Sequence, residues 1–296
     1  MSNWPNLFIA GAPKAGTTSL HQYLDQFPDI YMSPVKEPNF FSRELIREDS
    51  YVRPIRDEAR YLKLFQGSES YKYRGESSPT YLLDRTAPAL MKEKSPNARI
   101  IISLRDPVNL AHSFHHMMVA RHHTSMSFSE AAAVRVNGEP ADWNRRQLRL
   151  EYGLYADSLE RYIDIFGLDN IFVVIFEEMT RDIGQQLGQI ADWLDCTAPK
   201  LDGLETQFNR ASVARSSIAV KLLLNRRLTQ MAENIVPSKV RHFVKERLLM
   251  KPMEKPEMEK EAQAMLREYY RDDVARVRQL LQRPLPWSNF PEQPAV

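Results

Sequence analysis

Residues 11–18 read Gly-Ala-Pro-Lys-Ala-Gly-Thr-Thr, with two glycines at the separation found in phosphate-binding loops and a lysine between them. The flanks define the setting. Leu7-Phe8-Ile9-Ala10 is a short apolar run suited to a buried strand, and from Thr17 to Phe27 the residues Leu20, Tyr23, Leu24 and Phe27 recur at helical spacing. A strand, a tight turn and a helix in succession aim backbone N–H groups and the positive end of a helix dipole at an anion. In an ATP-binding loop of the form G-x-x-x-x-G-K-[ST], a lysine follows the second glycine and the next hydroxyl holds Mg²⁺. Here Thr17 stands at the lysine position and Lys14 lies three places earlier. The loop therefore suits a 5′-phosphate whose terminal group is not a magnesium-bound γ-phosphate.

Two further β-type runs, Arg99–Leu104 and Ile171–Phe176, are short, unbroken and rich in β-branched residues, and a weaker one covers Tyr71–Glu76. Such runs read as strands buried on both faces of a parallel sheet. Helical patterns at about 86–94, 108–121, 127–136, 155–166 and 183–194 alternate with them. The expected fold is three-layer α/β, with a central parallel sheet and a phosphate-binding loop after its first strand. Sites in such sheets gather beyond the carboxyl ends of the strands, which here are followed by Ala12–Thr18, Ser77–Tyr81, Arg105–Ser113 and Glu177–Glu178. After Arg215 no convincing strand is expected. Ser216–Met231 and Ser238–Met250 read as basic amphipathic helices, and Glu257–Leu281 as a long closing helix with Trp287 and Phe290 packing the tail back. No linker divides the 296 residues, so one domain is expected, with a core at about 5–215 and a helical C-terminal extension at 216–296.

Apolar and charged fractions of 43% and 26% are ordinary for a globular chain that builds its core without disulfides, and Cys196 is the only cysteine. The first residues, Met1-Ser2-Asn3-Trp4-Pro5, lack the basic and apolar regions of a secretory signal, and no apolar stretch approaches a membrane span. A cytoplasmic protein is the expectation. The formal charge of +2 is uneven: Arg210–Lys251 carries ten Lys/Arg against two Glu. That segment suits an anionic partner or a membrane surface, or is simply a solvated helix face. It lacks the interleaved aromatics of a nucleic-acid interface.

A second constellation follows the central strand: Arg105-Asp106-Pro107, with Ser113 six places beyond Pro107. Arg105 leaves the strand end as a permanently charged fork suited to a phosphate, and Pro107 fits the first turn of a helix. Together, Pro-Lys-x-Gly-Thr-Thr-Ser-Leu and Ile-Ile-x-Leu-Arg-Asp-Pro-(x)₅-Ser resemble the sulfotransferases that use 3′-phosphoadenosine-5′-phosphosulfate, especially the carbohydrate-type members. The likeness continues through Lys36-Glu37-Pro38-Asn39-Phe40-Phe41, Glu76-Ser77-Ser78-Pro79-Thr80-Tyr81, Tyr152-Gly153-x-Tyr155 and Phe176-Glu177-Glu178-Met179, covering roughly residues 5–215.

The resemblance implies roles. Lys14, Ala15, Gly16, Thr17, Thr18 and Ser19 would hold the 5′-phosphosulfate, and Arg105 with Ser113 the 3′-phosphate. Sulfuryl transfer builds negative charge on the bridging oxygen of the departing phosphate, and Lys14 would stabilise it. Glu37 resembles the glutamate base of the carbohydrate-type members, with Phe40-Phe41 lowering the local dielectric and raising its pKa. His116 and His115 are the competing or assisting bases, near the place where small-molecule members carry a histidine. Tyr152 and Tyr81 are candidates to stack on adenine, with buried packing the competing and favoured reading for either one alone, and Arg210 and Arg215 fall where the family has a loop closing over the 3′-phosphate. No metal is expected, although His112, His115, His116, His122 and His123 include helix-face spacings. The implied acceptor is a small molecule, glycan or lipid with a hydroxyl, less readily an amine. Two rival readings remain: a nucleotide or small-molecule kinase, which would need the lysine after Gly16 and an acidic Mg²⁺ ligand, and a non-catalytic module binding anionic surfaces through 210–251.

Overall fold

A computed structural model describes residues 4–46, 54–138, 147–199, 212–214, 250–252 and 256–291. Five strands, β1 (Leu7–Gly11), β2 (Ile30–Met32), β3 (Tyr73–Ser77), β4 (Arg99–Leu104) and β5 (Ile171–Ile175), form one sheet in the order β2-β3-β1-β4-β5. Every pairing is parallel. β1 is buried along its whole length, as a central parallel strand must be.

Alternation along the strands divides the interior into two. Phe8, Ala10, Ile100, Ile102 and Leu104 belong to one cluster, Leu7, Ile9, Ile101 and Val174 to the other. The second is closed by α1 (Thr17–Leu24), α7 (Phe176–Arg181) and α8 (Ile183–Leu194), which contribute Leu20, Leu24, Met179, Leu187 and Ile190. The larger one is covered by α3 (Ala87–Lys94), α4 (Pro107–Ala120), α5 (Phe128–Val136), α6 (Ala156–Phe166) and α9 (Lys260–Leu281); a short α2 (Glu58–Leu62) adds Tyr61. The architecture is three-layer α/β.

The C-terminal helix is a structural member of the larger layer. Ala262, Leu266, Tyr270 and Val274 recur every four residues and are buried with Val277 in the same cluster as Phe8 and Ile100. α9 and its flanks also complete the starts of three other helices. Glu259 accepts from Phe128 N and Ser129 N at α5, Asp273 from Tyr155 N and Ala156 N at α6, and Asp106 at the start of α4 is met by Asn289. Helix starts expose unpaired N–H groups, so these contacts stitch the chain end to the core.

Several elements differ from expectation. β2 is absent from the sequence reading because Ile-Tyr-Met is too short to show a period; pairing with Tyr73–Gly75 makes it a strand. Phe176 begins α7 rather than ending β5, and β3 runs two residues later than Tyr71, to Ser77. Past residue 200, Ser212–Ala214 (β6) pairs antiparallel with Met250–Pro252 (β7), so Met250 lies in a short strand where a helix end was expected. The rest of the two basic helices, with Arg210 and Arg215, lies outside the described residues. No helix among the described residues is long and apolar enough to cross a membrane.

Candidate active site

The phosphate loop is shaped by the strand beside it. Ala12 N–H donates to the Ser103 carbonyl at 2.5 Å, Ser103 Oγ donates to the Ala15 carbonyl at 2.5 Å, and Arg105 Nη1 donates to the Lys14 carbonyl at 3.0 Å. Three loop positions, Ala12, Lys14 and Ala15, are thus tied to the end of β4 and the residue after it. Gly16 caps α1 at φ 80°, and a Cβ there would stand 2.6 Å from Met179 Cε and 2.9 Å from the Phe176 ring. Only glycine satisfies both the left-handed backbone and the close approach of α7. Lys14 itself adopts φ 67°. Ala15, Thr17 and Ser19 are buried, whereas Thr18 is exposed.

Burial, and then the charges of Arg121 and Arg105, lower the Lys14 ammonium to a pKa of about 8, with Glu37 opposing them and Lys36 adding to them. Cations of β4, α4 and the β2–α2 segment therefore converge on one lysine, and Glu37 faces the same group.

Arg105 lies 4.4 Å over the Phe176 ring. Its Nε is buried and has no hydrogen-bond partner among the described residues, and such a group suits an anionic oxygen. Its carbonyl accepts from the Tyr155 hydroxyl at 2.8 Å. Asp106 caps α4, its Oδ1 accepting from Val108 N at 3.0 Å and Asn109 N at 3.3 Å. Along that helix Asn109 and Ser113 are half-buried while residues 110–112 and 114–116 are buried. One turn apart, they form an open stripe continuing from Arg105.

Glu37 has φ 59°, its N–H donates to the Ser77 carbonyl at 2.9 Å, and its carbonyl accepts from Asn39 Nδ2 at 2.7 Å. Its carboxylate is half-exposed and pairs with Lys36 at 2.7 Å. The aromatic enclosure expected around Glu37 surrounds another carboxyl instead. Phe40 stacks on Tyr61 with centroids 4.2 Å apart, and Phe41 lies 5.9 Å from the Tyr81 ring. Both tyrosine hydroxyls donate to Glu76 Oε1, at 3.0 and 2.6 Å, and Ser78 Oγ donates to Oε2 at 2.7 Å. Burial raises the Glu76 carboxyl to about 7 against the pull of those hydrogen bonds.

Glu76 was not predicted as a site residue, although it closes a strand within Glu-Ser-Ser-Pro. Glu177, expected beyond the end of its strand but given no role, accepts from Asp106 N at 3.1 Å, and burial pushes its carboxyl up. Glu76 is the penultimate residue of β3 and Glu177 follows β5, where strand ends meet the site.

The histidines sit differently from the loop residues. His115 Nε2 is 3.1 Å from the Met126 carbonyl and its ring lies 5.3 Å from Phe128, on the side of α4 that meets α5. Burial lowers its pKa, against the Met126 carbonyl and Glu259, which raise it. His116 is buried on the same helix. Tyr152 packs edge-on against Phe114 at 5.1 Å. Tyr81 is fully buried on Glu76, which removes it as an adenine platform. A hollow of about 410 Å³ between β5, α8 and the end of α9 includes none of the loop residues, Arg105 or Ser113.

A lysine-bearing phosphate loop at the carboxyl edge of a five-stranded parallel sheet, with an arginine and a serine stripe on the next strand and helix, agrees with the family match. The chain belongs to the sulfotransferase domain family, a family of enzymes, and residues 5–278 match it. It is 30% identical to a solved sulfotransferase from Alicyclobacillus acidocaldarius, with a TM-score of 0.69 over 95% of this chain and 97% of that one. It is also 29% identical over 191 residues to human heparan sulfate glucosamine 3-O-sulfotransferase 6, covering 64% of this chain and 52% of that protein. A bifunctional heparan sulfate N-deacetylase/N-sulfotransferase 1 from Caenorhabditis briggsae is 25% identical, over 64% of this chain and 22% of its own length. The chain thus spans about half the length, or less, of these curated relatives.

Proposed function

We propose that this chain transfers the sulfuryl group of 3′-phosphoadenosine-5′-phosphosulfate to a hydroxyl of a glycan. The observation that carries the reading is Lys14, held inside the loop where Arg105, Lys36 and Glu37 all act on its charge. The residues fit an anionic nucleotide: Arg105 offers a buried N–H that has no acceptor among the described residues. The bound donor supplies an activated sulfuryl group. Lys14 neutralises the charge that develops on its departing phosphate. Thr17, Thr18 and the first-turn amides of α1 hold the 5′ side, and Arg105 with Ser113 holds the 3′-phosphate. Glu37 takes the acceptor's proton, with Lys36 fixing one carboxylate oxygen. The names of the relatives support a glycan, and Glu37 of the carbohydrate-type motif supports a hydroxyl.

The kinase alternative loses support from Asp106, the acidic residue nearest the end of β4. Its oxygens are taken by Val108, Asn109 and Asn289. Calorimetric titration with adenosine 3′,5′-bisphosphate in EDTA, followed by transfer of label from radiolabelled donor to glucosamine-containing oligosaccharides, tests the proposal. Tight binding and labelled oligosaccharide are expected. No binding without Mg²⁺, with ATP binding restored by it, would overturn the donor assignment; labelling of lipids or small phenols alone would overturn the acceptor.

A further inference from the structure

The Arg105–Asp106 corner is held from several directions. Tyr155 Oη donates to the Arg105 carbonyl, and Asp106 N donates to Glu177. The Asp106 carboxylate is fully buried and caps α4 through Oδ1. Its remaining partner comes from 183 positions away: Asn289 N donates to Oδ2 at 3.0 Å, and Asn289 Nδ2 lies 3.0 Å from both oxygens.

Asn289 is built into this position. It is 2% exposed, and its Oδ1 accepts from Gln263 Nε2 of α9 at 2.6 Å, which sets the amide so that its NH₂ faces Asp106. Phe290 N donates to the Trp287 carbonyl at 2.9 Å, closing a turn around it. The Trp287 ring is buried 6.0 Å from Tyr155, the same tyrosine that holds the Arg105 carbonyl. Tyr155 and Glu177 therefore grip the two ends of the Arg105–Asp106 peptide unit, residues 287–290 brace Tyr155 and the Asp106 carboxylate, and the guanidinium beside that unit is the fork described above.

We infer that Asn289 is a positioning residue for recognition of the donor's 3′-phosphate, acting through Asp106 on Arg105. The inference rests on the donor reading proposed above. The physical reason is desolvation. Without the Asn289 side-chain amide, which bridges both oxygens, the buried carboxylate keeps only the backbone donors of Val108, Asn109 and Asn289, and it relieves the shortfall by shifting from its place at the first turn of α4. The first turn of α4 and the residue before it then lose their fixed placement, whereas the 5′-phosphate loop keeps both of its ties to Ser103 and shares with Arg105 only the bond to the Lys14 carbonyl. The effect should fall on the 3′-phosphate selectively.

The test compares affinities for adenosine 3′,5′-bisphosphate and adenosine 5′-monophosphate in the wild type, Asn289→Ala and Gln263→Ala, with donor KM and kcat measured alongside. In Asn289→Ala the bisphosphate is expected to weaken about tenfold, the monophosphate to change little, and KM to rise by more than kcat falls. Gln263→Ala, at a half-exposed position, is expected to shift the ratio in the same direction by less. It decides the matter if Asn289→Ala does not fold. Equal weakening of both nucleotides, or an unchanged ratio in the folded variants, overturns the inference, because general loosening does not discriminate between ligands. A wild-type protein with no preference for the bisphosphate instead overturns the donor reading.

Discussion

The hydroxyl of Tyr81 donates to Glu76 at 2.6 Å, inside a pocket that leaves neither residue exposed. Burial raises the Glu76 carboxyl from 4.5 to about 7, so the folded protein holds that proton more tightly than the unfolded chain. Its contribution is fully present below pH 4.5 and is lost as pH rises through 7. Glu76→Gln keeps an oxygen for the two tyrosines and cannot ionise. Relative to this variant, the wild type should lose on the order of 2 kcal/mol of stability between pH 5 and pH 7.5. Urea denaturation at both pH values measures the difference, and parallel losses would assign the ionisation elsewhere.

Lys14 is expected to act only while charged. With its pKa near 8, kcat/KM should fall as pH rises through that value. Lys14→Ala should reduce kcat by about 10²–10³-fold. Lys14→Arg should retain part of the rate and move the alkaline limb upward. A pH–rate profile with the limb unmoved in Lys14→Arg would give that limb to another group.

Gly16→Ala places a methyl group against Met179 and Phe176 on a left-handed backbone. A loss of roughly 1–3 kcal/mol is expected, together with loss of the melting shift produced by adenosine 3′,5′-bisphosphate. Differential scanning calorimetry with and without the nucleotide reads both; a full ligand shift in the variant would mean the loop does not form the phosphate cradle.

Leu266 is fully buried in the larger cluster, and Arg267 beside it is exposed. Leu266→Ala should cost about 2–5 kcal/mol, whereas Arg267→Ala should stay within about 0.5 kcal/mol. Similar denaturation midpoints for the two would show that α9 is dispensable to the core.

Much of the architecture was legible because its signals are local. Ser127 and Glu130 form a capping box that starts α5, and Asp106-Pro107 starts α4 one residue before the expected helix. The strands of Ile-Ile-Ile and Ile-Phe-Val-Val-Ile carry their own burial pattern. β2 was illegible because three residues hold no period and the strand exists only through β3. Of the site, Lys14, Glu37 and Arg105 were found as chemistry-bearing residues of short motifs, and the structure brings them into one electrostatic group. Their surroundings were misjudged. Phe40-Phe41 follow Glu37 in sequence, yet the backbone turns at Glu37 and Asn39, both with positive φ, and the rings enclose Glu76. Likewise His115 shares a helix with Ser113 but faces α5.

The sequence by itself determined four of the five strands of the parallel sheet and most of the helices between them, the loop with its internal lysine, and the arginine after β4, because each is written in adjacent residues and backbone preference. Only the tertiary structure decided which carboxyl is desolvated, that His115 faces α5, and that Asn289 completes Asp106. Those outcomes depend on burial and on hydrogen bonds between residues as many as 183 positions apart, and desolvation is a property of the surroundings a side chain finally occupies.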